Sequence, residues 1–184
     1  MVRYRIEIAD AHAHLFRVTL TLERPALRQR RQCRPMIAAT PATPSNPPLP
    51  PLALQLGHAG LIPFIGGALL VWFVTPAAHP YATLALSAYA AVVVSFLGGI
   101  HWGIGFRDHS PGLFVWGVVP SLVAWVAVMM PPSAGLVIHG VMLAVCYLVD
   151  RRVYPAHGLA AWLTLRFRLS AVASLCCFLG AAGT

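Results

Sequence analysis

From residue 56 to residue 184 the chain is almost unbroken apolar sequence, interrupted by four short polar breaks: TPAAHP, RDHSPG, MPPSA and DRRVYPAHG. A helix needs about 20 apolar residues to cross roughly 30 Å of hydrocarbon. The breaks divide the run into pieces of about that size and predict five membrane spans, over about 56–75, 82–105, 113–130, 134–149 and 159–182. Proline and glycine in the breaks stop helices and allow tight hairpins. Pro63 and Pro120 fall inside spans, where neighbouring helices can satisfy the carbonyls that proline frees.

The pattern changes before residue 56. Residues 36–55, MIAATPATPSNPPLPPLALQ, carry no charge and six of the 16 prolines, the composition of a disordered or polyproline linker. Residues 1–35 are polar and arginine-rich. Within them RYRIEI and LFRVTLTL alternate with period two, which predicts two β-strands joined at ADAHAH. The expected fold is therefore an all-α integral membrane bundle of five transmembrane helices, preceded by a short non-membrane segment.

Composition removes the soluble alternative. Hydrophobic residues make up 58% of the chain and charged residues 10%, against roughly 25% charged in ordinary soluble domains. All 13 basic residues are arginine. Eight precede residue 35; the others are Arg107, Arg151, Arg152, Arg166 and Arg168. With five alternating crossings, every one of them falls on the side of the N-terminus. Positive charge stays cytoplasmic, so the expected topology is N-in, C-out. This accounts for the net charge of +8 without a nucleic-acid partner. The expected surroundings are the lipid bilayer of a bacterial cytoplasmic (inner) membrane and other membrane proteins. Cys33, Cys146, Cys176 and Cys177 form no CxxC pair, so neither a disulfide framework nor a zinc site is expected.

The segments GHAGLIPF (57–64), SFLGGIHWG (95–103), VPSLVAW (119–125), YLVDRR (147–152) and WLTLRFRL (162–169) carry a resemblance. In their order and spacing the chain resembles an uncharacterised five-span membrane family that includes the mitochondrial transmembrane-protein-69-like proteins. The resemblance implies a small multi-span protein of bacterial inner membranes or mitochondria, and no reaction or ligand. Separately, residues 3–26 resemble the opening strands of glycyl aminopeptidases. The His-Glu-x-x-His zinc motif of those enzymes is absent, so no peptidase activity follows. That segment is expected to be a fusion or start-site artefact, with Met36 the natural start.

Few residues in the spans can carry chemistry. Gly99 and Gly103 form a GxxxG pair, which predicts close packing against another helix. His101, two residues from each, is expected on the opposite side, near the membrane interface. His58 lies toward the same end of the first span, so His58 and His101 are the one candidate pair for haem iron. Asp150 is the acid at the end of an apolar run, and Arg166 and Arg168 are bases within one. Two positions apart on a helix means about 200°, so one arginine is expected to face Asp150 and the other to snorkel to lipid headgroups. Phosphate loops, nucleophile elbows and HExxH motifs are missing. The expected function is a non-enzymatic structural, assembly or accessory component without a cofactor or metal. The alternatives are a small proton-linked transporter using His101, Asp150 and Arg166, or a haem-binding redox protein.

Overall fold

The computed structural model describes residues 2–10, 15–22 and 49–184. The first unit contains strands β1 (Val2–Asp10) and β2 (Leu15–Leu22). They pair antiparallel, with Ile6 opposite Val18 and an irregularity between Ile8 and Asp10. The second unit is helical. It comprises α1 (Pro51–Ala59), α2 (Ile62–Phe73), α3 (His79–Asp108), α4 (Pro111–Met129), α5 (Pro132–Ala156) and α6 (Leu163–Ala182), with a 3-10 turn at Ala160–Trp162.

Proline starts most of these helices. Pro51, Pro63, Pro80, Pro111 and Pro132 sit in the first turns of α1 to α5, where the missing N–H would have had no helical partner. Five helical stretches are long and apolar enough to cross a membrane: 51–73, 79–108, 111–129, 132–156 and 160–182. They coincide with the five expected spans, the first starting earlier and the second and fourth running longer at both ends. Residues 51–55 belong to α1 rather than to a linker. α5 continues through Asp150, Arg151 and Arg152, which the sequence pattern assigns to a loop. Hydropathy ends where charge begins, whereas a helix ends where its hydrogen bonds do. The rest of the expected linker, residues 36–48, lies outside the described residues.

The first crossing is made of two pieces. Pro63 cannot continue the hydrogen-bond ladder, and the chain breaks at Gly60 and Leu61, between α1 and α2. The Tyr89 hydroxyl of α3 donates to the Gly60 carbonyl at 2.9 Å, so the break is satisfied from a neighbouring helix. α1 packs on α6, while α2 packs on both α3 and α6. α3 is the central element, in contact with α2, α4, α5 and α6.

The core is apolar and narrow. Phe64, Leu86, Val94, Leu136 and Leu143 are fully buried beside Ala90, Ala124 and Ala127. Bulky apolar side chains such as Phe73, Tyr81, Val115, Trp125 and Phe167 are exposed. An apolar exterior around an apolar core departs from the polar surface of a soluble bundle, and it is stable in hydrocarbon. Alternating crossings put Arg107, Asp108, Asp150, Arg151, Arg152, Arg166 and Arg168 toward one end of the bundle. The other end is closed by Trp72 Nε1 donating to the Leu179 carbonyl at 3.0 Å, and by His79 Nε2 donating to the Gly183 carbonyl at 2.9 Å.

Close backbone approach occurs at other glycines than those expected. A Cβ added at Gly99 or Gly103 meets nothing within 4 Å, so this pair is not a packing seam within the bundle. Gly98 is: its Cβ would stand 2.3 Å from the Gly117 carbonyl of α4. Gly135 of α5 is similarly placed, 2.4 Å from the Ala127 carbonyl of α4. The physical reason lies in helical phase. Gly98, His101 and Gly105 share one face, at spacings of three and four residues, and that face is the buried one. We expect Gly98→Ala to lower stability in detergent by about 1–3 kcal/mol, since the clash is with backbone that cannot rotate away. Gly99→Ala and Gly103→Ala should leave the unfolding midpoint unchanged. Equal losses at all three positions would contradict this assignment of faces.

Candidate functional site

Three helices each contribute one polar side chain to a buried cluster. Asp150 comes from α5, 1% exposed; Arg166 from α6, 8%; and His101 from α3, 1%. Arg166 Nε donates to Asp150 Oδ2 at 2.7 Å. Arg166 Nη2 lies 2.6 Å from the same oxygen, but off the hydrogen-bond direction. The other carboxylate oxygen, Oδ1, stands 3.3 Å from His101 Nε2, at ion-pair distance without hydrogen-bond alignment. The second ring nitrogen of His101, Nδ1, is 3.2 Å from the Leu97 carbonyl.

Both ring nitrogens of His101 thus face acceptors. A neutral imidazole donates through one nitrogen only, whereas an imidazolium donates through both. The ring is enclosed by aromatics, with Trp116 edge-on at 6.3 Å and Tyr154 at 6.2 Å between ring centres. Cys146 and Tyr154 lie one turn to either side of Asp150 on α5, and both are buried. The cluster is within about 10 Å of the end of α3, since His101 precedes Asp108 by seven residues at 1.5 Å each.

Of the two arginines, Arg166 faces Asp150 and Arg168 is exposed. His101 is on the side of α3 opposite Gly99 and Gly103, and that side is turned into the bundle, so the ring is buried. His58 does not join it. His58 is on α1, its Nδ1 donating to the Leu54 carbonyl at 2.7 Å, and α1 packs on α6. Among the described residues no group of three or more His, Cys, Asp or Glu side chains is placed to hold a metal.

A second polar knot sits closer to the helix ends. Arg107 donates to both oxygens of Asp108, at 2.7 and 2.9 Å, and to the His157 carbonyl at 3.0 Å. His157 Nδ1 meets the same carboxylate. This ties the end of α3 to the turn after α5. Sequence reading assigned no role to four buried polar atoms on three residues: Trp116 Nε1, the Ser170 hydroxyl and both nitrogens of His139, none with a well-aligned partner among the described residues. Ser170 was within reach of a helical argument, lying one turn from Arg166. His139 is legible only as a polar ring within a span, and Trp116 carries no sequence signal.

This arrangement defines a class: a five-span integral membrane protein whose buried carboxylate is held between a guanidinium and an imidazole from two other helices. Residues 49–182 match the family described as "Protein of unknown function (DUF3429)", and the chain belongs to that family. It is similar to Transmembrane protein 69 of Xenopus tropicalis, 39% identical over 135 residues, covering 67% of this chain and 53% of the relative. It is also similar to Transmembrane protein 69 of Mus musculus, 34% identical over 82 residues, covering 42% of this chain and 33% of the relative. The chain therefore spans about half the length or less of these curated relatives. No solved structure matches it. The family match does not include residues 3–26, and the likeness of that segment to glycyl aminopeptidases is not supported by it.

Removing one partner of a buried ion pair strands the other charge, which typically costs about 3–5 kcal/mol. We expect Asp150→Leu and Arg166→Met each to lower the unfolding free energy in detergent by about that amount. The double variant should recover most of the loss. His101→Gln should cost less than either, because Asp150 keeps Arg166. A double variant as unstable as the sum of the singles would show that the pair is not the clamp.

Proposed function

We propose that this protein is a non-enzymatic accessory or assembly component of a bacterial inner membrane, oriented N-in and C-out. In this reading the His101–Asp150–Arg166 cluster fixes the helix arrangement that partner membrane proteins meet. The observation that carries the reading is the cluster itself. Its carboxylate and guanidinium cancel each other inside the bundle and join α3, α5 and α6. Asp108 and Asp150 are the acids of the membrane region, and each is engaged in a separate polar knot. That leaves no carboxylate pair for general acid–base work. The orientation rests on the arginines, which gather at one end of the spans. The names of the relatives say only that those proteins are transmembrane.

One observation favours a second reading, a proton-linked carrier. His101 sits between two acceptors inside the bundle, where gain or loss of a proton changes how many of them it can serve. The two readings differ in what purified protein does alone. Mild solubilisation of native membranes, followed by affinity capture and mass spectrometry, should return a stoichiometric membrane partner for the accessory role. Vesicles containing only this protein should show no proton flux. A flux that His101→Gln abolishes while the fold persists would replace the accessory reading with the carrier. For the orientation, an alkaline phosphatase fused after Thr184 should be active, and one inserted after Gly158 should be silent. The reverse pattern would invert the topology.

A further inference from the structure

Arg166 has more donors than Asp150 uses. A guanidinium carries five N–H groups, and only Nε makes a well-aligned bond to the carboxylate. The side chain is nevertheless 10% exposed. One turn further along α6, the buried Ser170 hydroxyl has no partner among the described residues. Both residues line a cavity of about 220 Å³ whose apolar walls include Phe64, Leu143 and Ala173. A second cavity, of about 430 Å³, shares Arg166, Leu97 and Leu169 with the first and is bounded by Ile100, Tyr154 and Trp162. Leu56 of α1 and Phe96 of α3 line both cavities and are 63% and 67% exposed. The space therefore reaches the lipid-facing surface between these two helices.

A guanidinium with more N–H groups than Asp150 and Tyr154 take up, and an unpartnered hydroxyl, set among apolar walls, suit a ligand with an acceptor head and an apolar body. The charge of the head follows from the ion pair. Asp150 and Arg166 already cancel, so an anion would add an unpaired charge to the interior, while a neutral carbonyl would not. The walls also bear on shape. Phe64, Tyr89 and Phe96 give the Ser170 cavity an aromatic lining that suits a flat ring, and Tyr154 and Trp162 line the larger one. The larger cavity lies in the range of roughly 300–1,000 Å³ that small-molecule sites occupy.

We propose that the two adjoining cavities between α1, α3 and α6 bind a quinone-class amphiphile: a flat, neutral, carbonyl-bearing ring in the smaller cavity, hydrogen-bonded by Arg166 and Ser170, with its apolar tail passing through the larger cavity along Tyr154 and Trp162 and leaving toward lipid between Leu56 and Phe96. This goes beyond the accessory role, which requires a clamp but no ligand, and partner capture scores that role independently.

The test uses the full chain in detergent, titrated with decylubiquinone and read by tryptophan quenching and by thermal shift. Binding should saturate and raise Tm. Leu169→Trp fills the groove without touching the ion pair and should weaken binding at least about tenfold while the unliganded protein keeps its Tm. Ser170→Ala, a smaller change in case the tryptophan disturbs the fold, should weaken binding several-fold. Oleate and phosphatidylglycerol, which offer an anionic head on the same kind of chain, should compete poorly. Absence of saturation, an unchanged Kd in both variants, or competition by either anionic lipid as strong as by the quinone would overturn the proposal.

Discussion

A carboxylate inside a membrane bundle has to be neutralised where it stands, because lipid supplies neither water nor counterions. Asp150 meets that constraint with one oxygen on Arg166 and the other toward His101. The requirement reaches beyond the three side chains. It sets the rotation of α5 so that position 150 faces inward, and of α6 so that 166 rather than 168 does. It also sets the phase of α3, which must present 101 at the same depth. Three helices whose apolar surfaces would otherwise slide and rotate freely in hydrocarbon are thereby held in one register. Hydrophobic burial cannot supply that register, since lipid tails solvate leucine as well as a neighbouring helix does.

Close approach completes what the cluster begins. Gly98 against Gly117, and Gly135 against Ala127, bring α4 within backbone contact of α3 and α5. Gly140 lies under the Phe178 ring, and the Ser174 hydroxyl donates to the Gly140 carbonyl at 3.0 Å, which does the same for α5 and α6. The first crossing is excluded from this close packing along its α1 half. α1 has no buried residue and packs on α6, with cavities between it and α3. Tight packing on one side of α3 and a groove on the other are two results of the same distribution of glycine and proline.

The count, order and approximate extent of the spans were legible because hydropathy and breakers operate on windows of 20 residues. The pairing of Asp150 with Arg166 was legible too, for a different reason: charges in apolar sequence are few, and two hairpin-linked helices offer few ways to pair them. Helical phase was harder to read. In a soluble helix the polar face marks the outside, but α3 has no polar outer face, and the glycines of SFLGGIHWG do not by themselves distinguish the face carrying Gly98 from the face carrying Gly99 and Gly103. The GxxxG spacing selected the wrong one. The histidine itself was the better signal. A polar ring in a membrane span is costly toward lipid, which places position 101 inward and carries Gly98 and Gly105 with it.

Arg166 belongs both to the clamp and to the groove, and this couples them. A ligand that accepts from an Nη N–H directed away from Asp150 leaves the Nε bond to Asp150 intact, so binding and clamping can hold together. A ligand that draws the guanidinium away from Asp150 would leave the carboxylate with His101 alone. Occupancy of the groove and stability of the α3–α5–α6 register are then linked quantities. By thermodynamic reciprocity, whatever strengthens one of them shifts the other by the same free energy. A buried arginine with donors to spare, placed at a junction of three helices and two cavities, is the feature through which this small bundle can report what its groove contains.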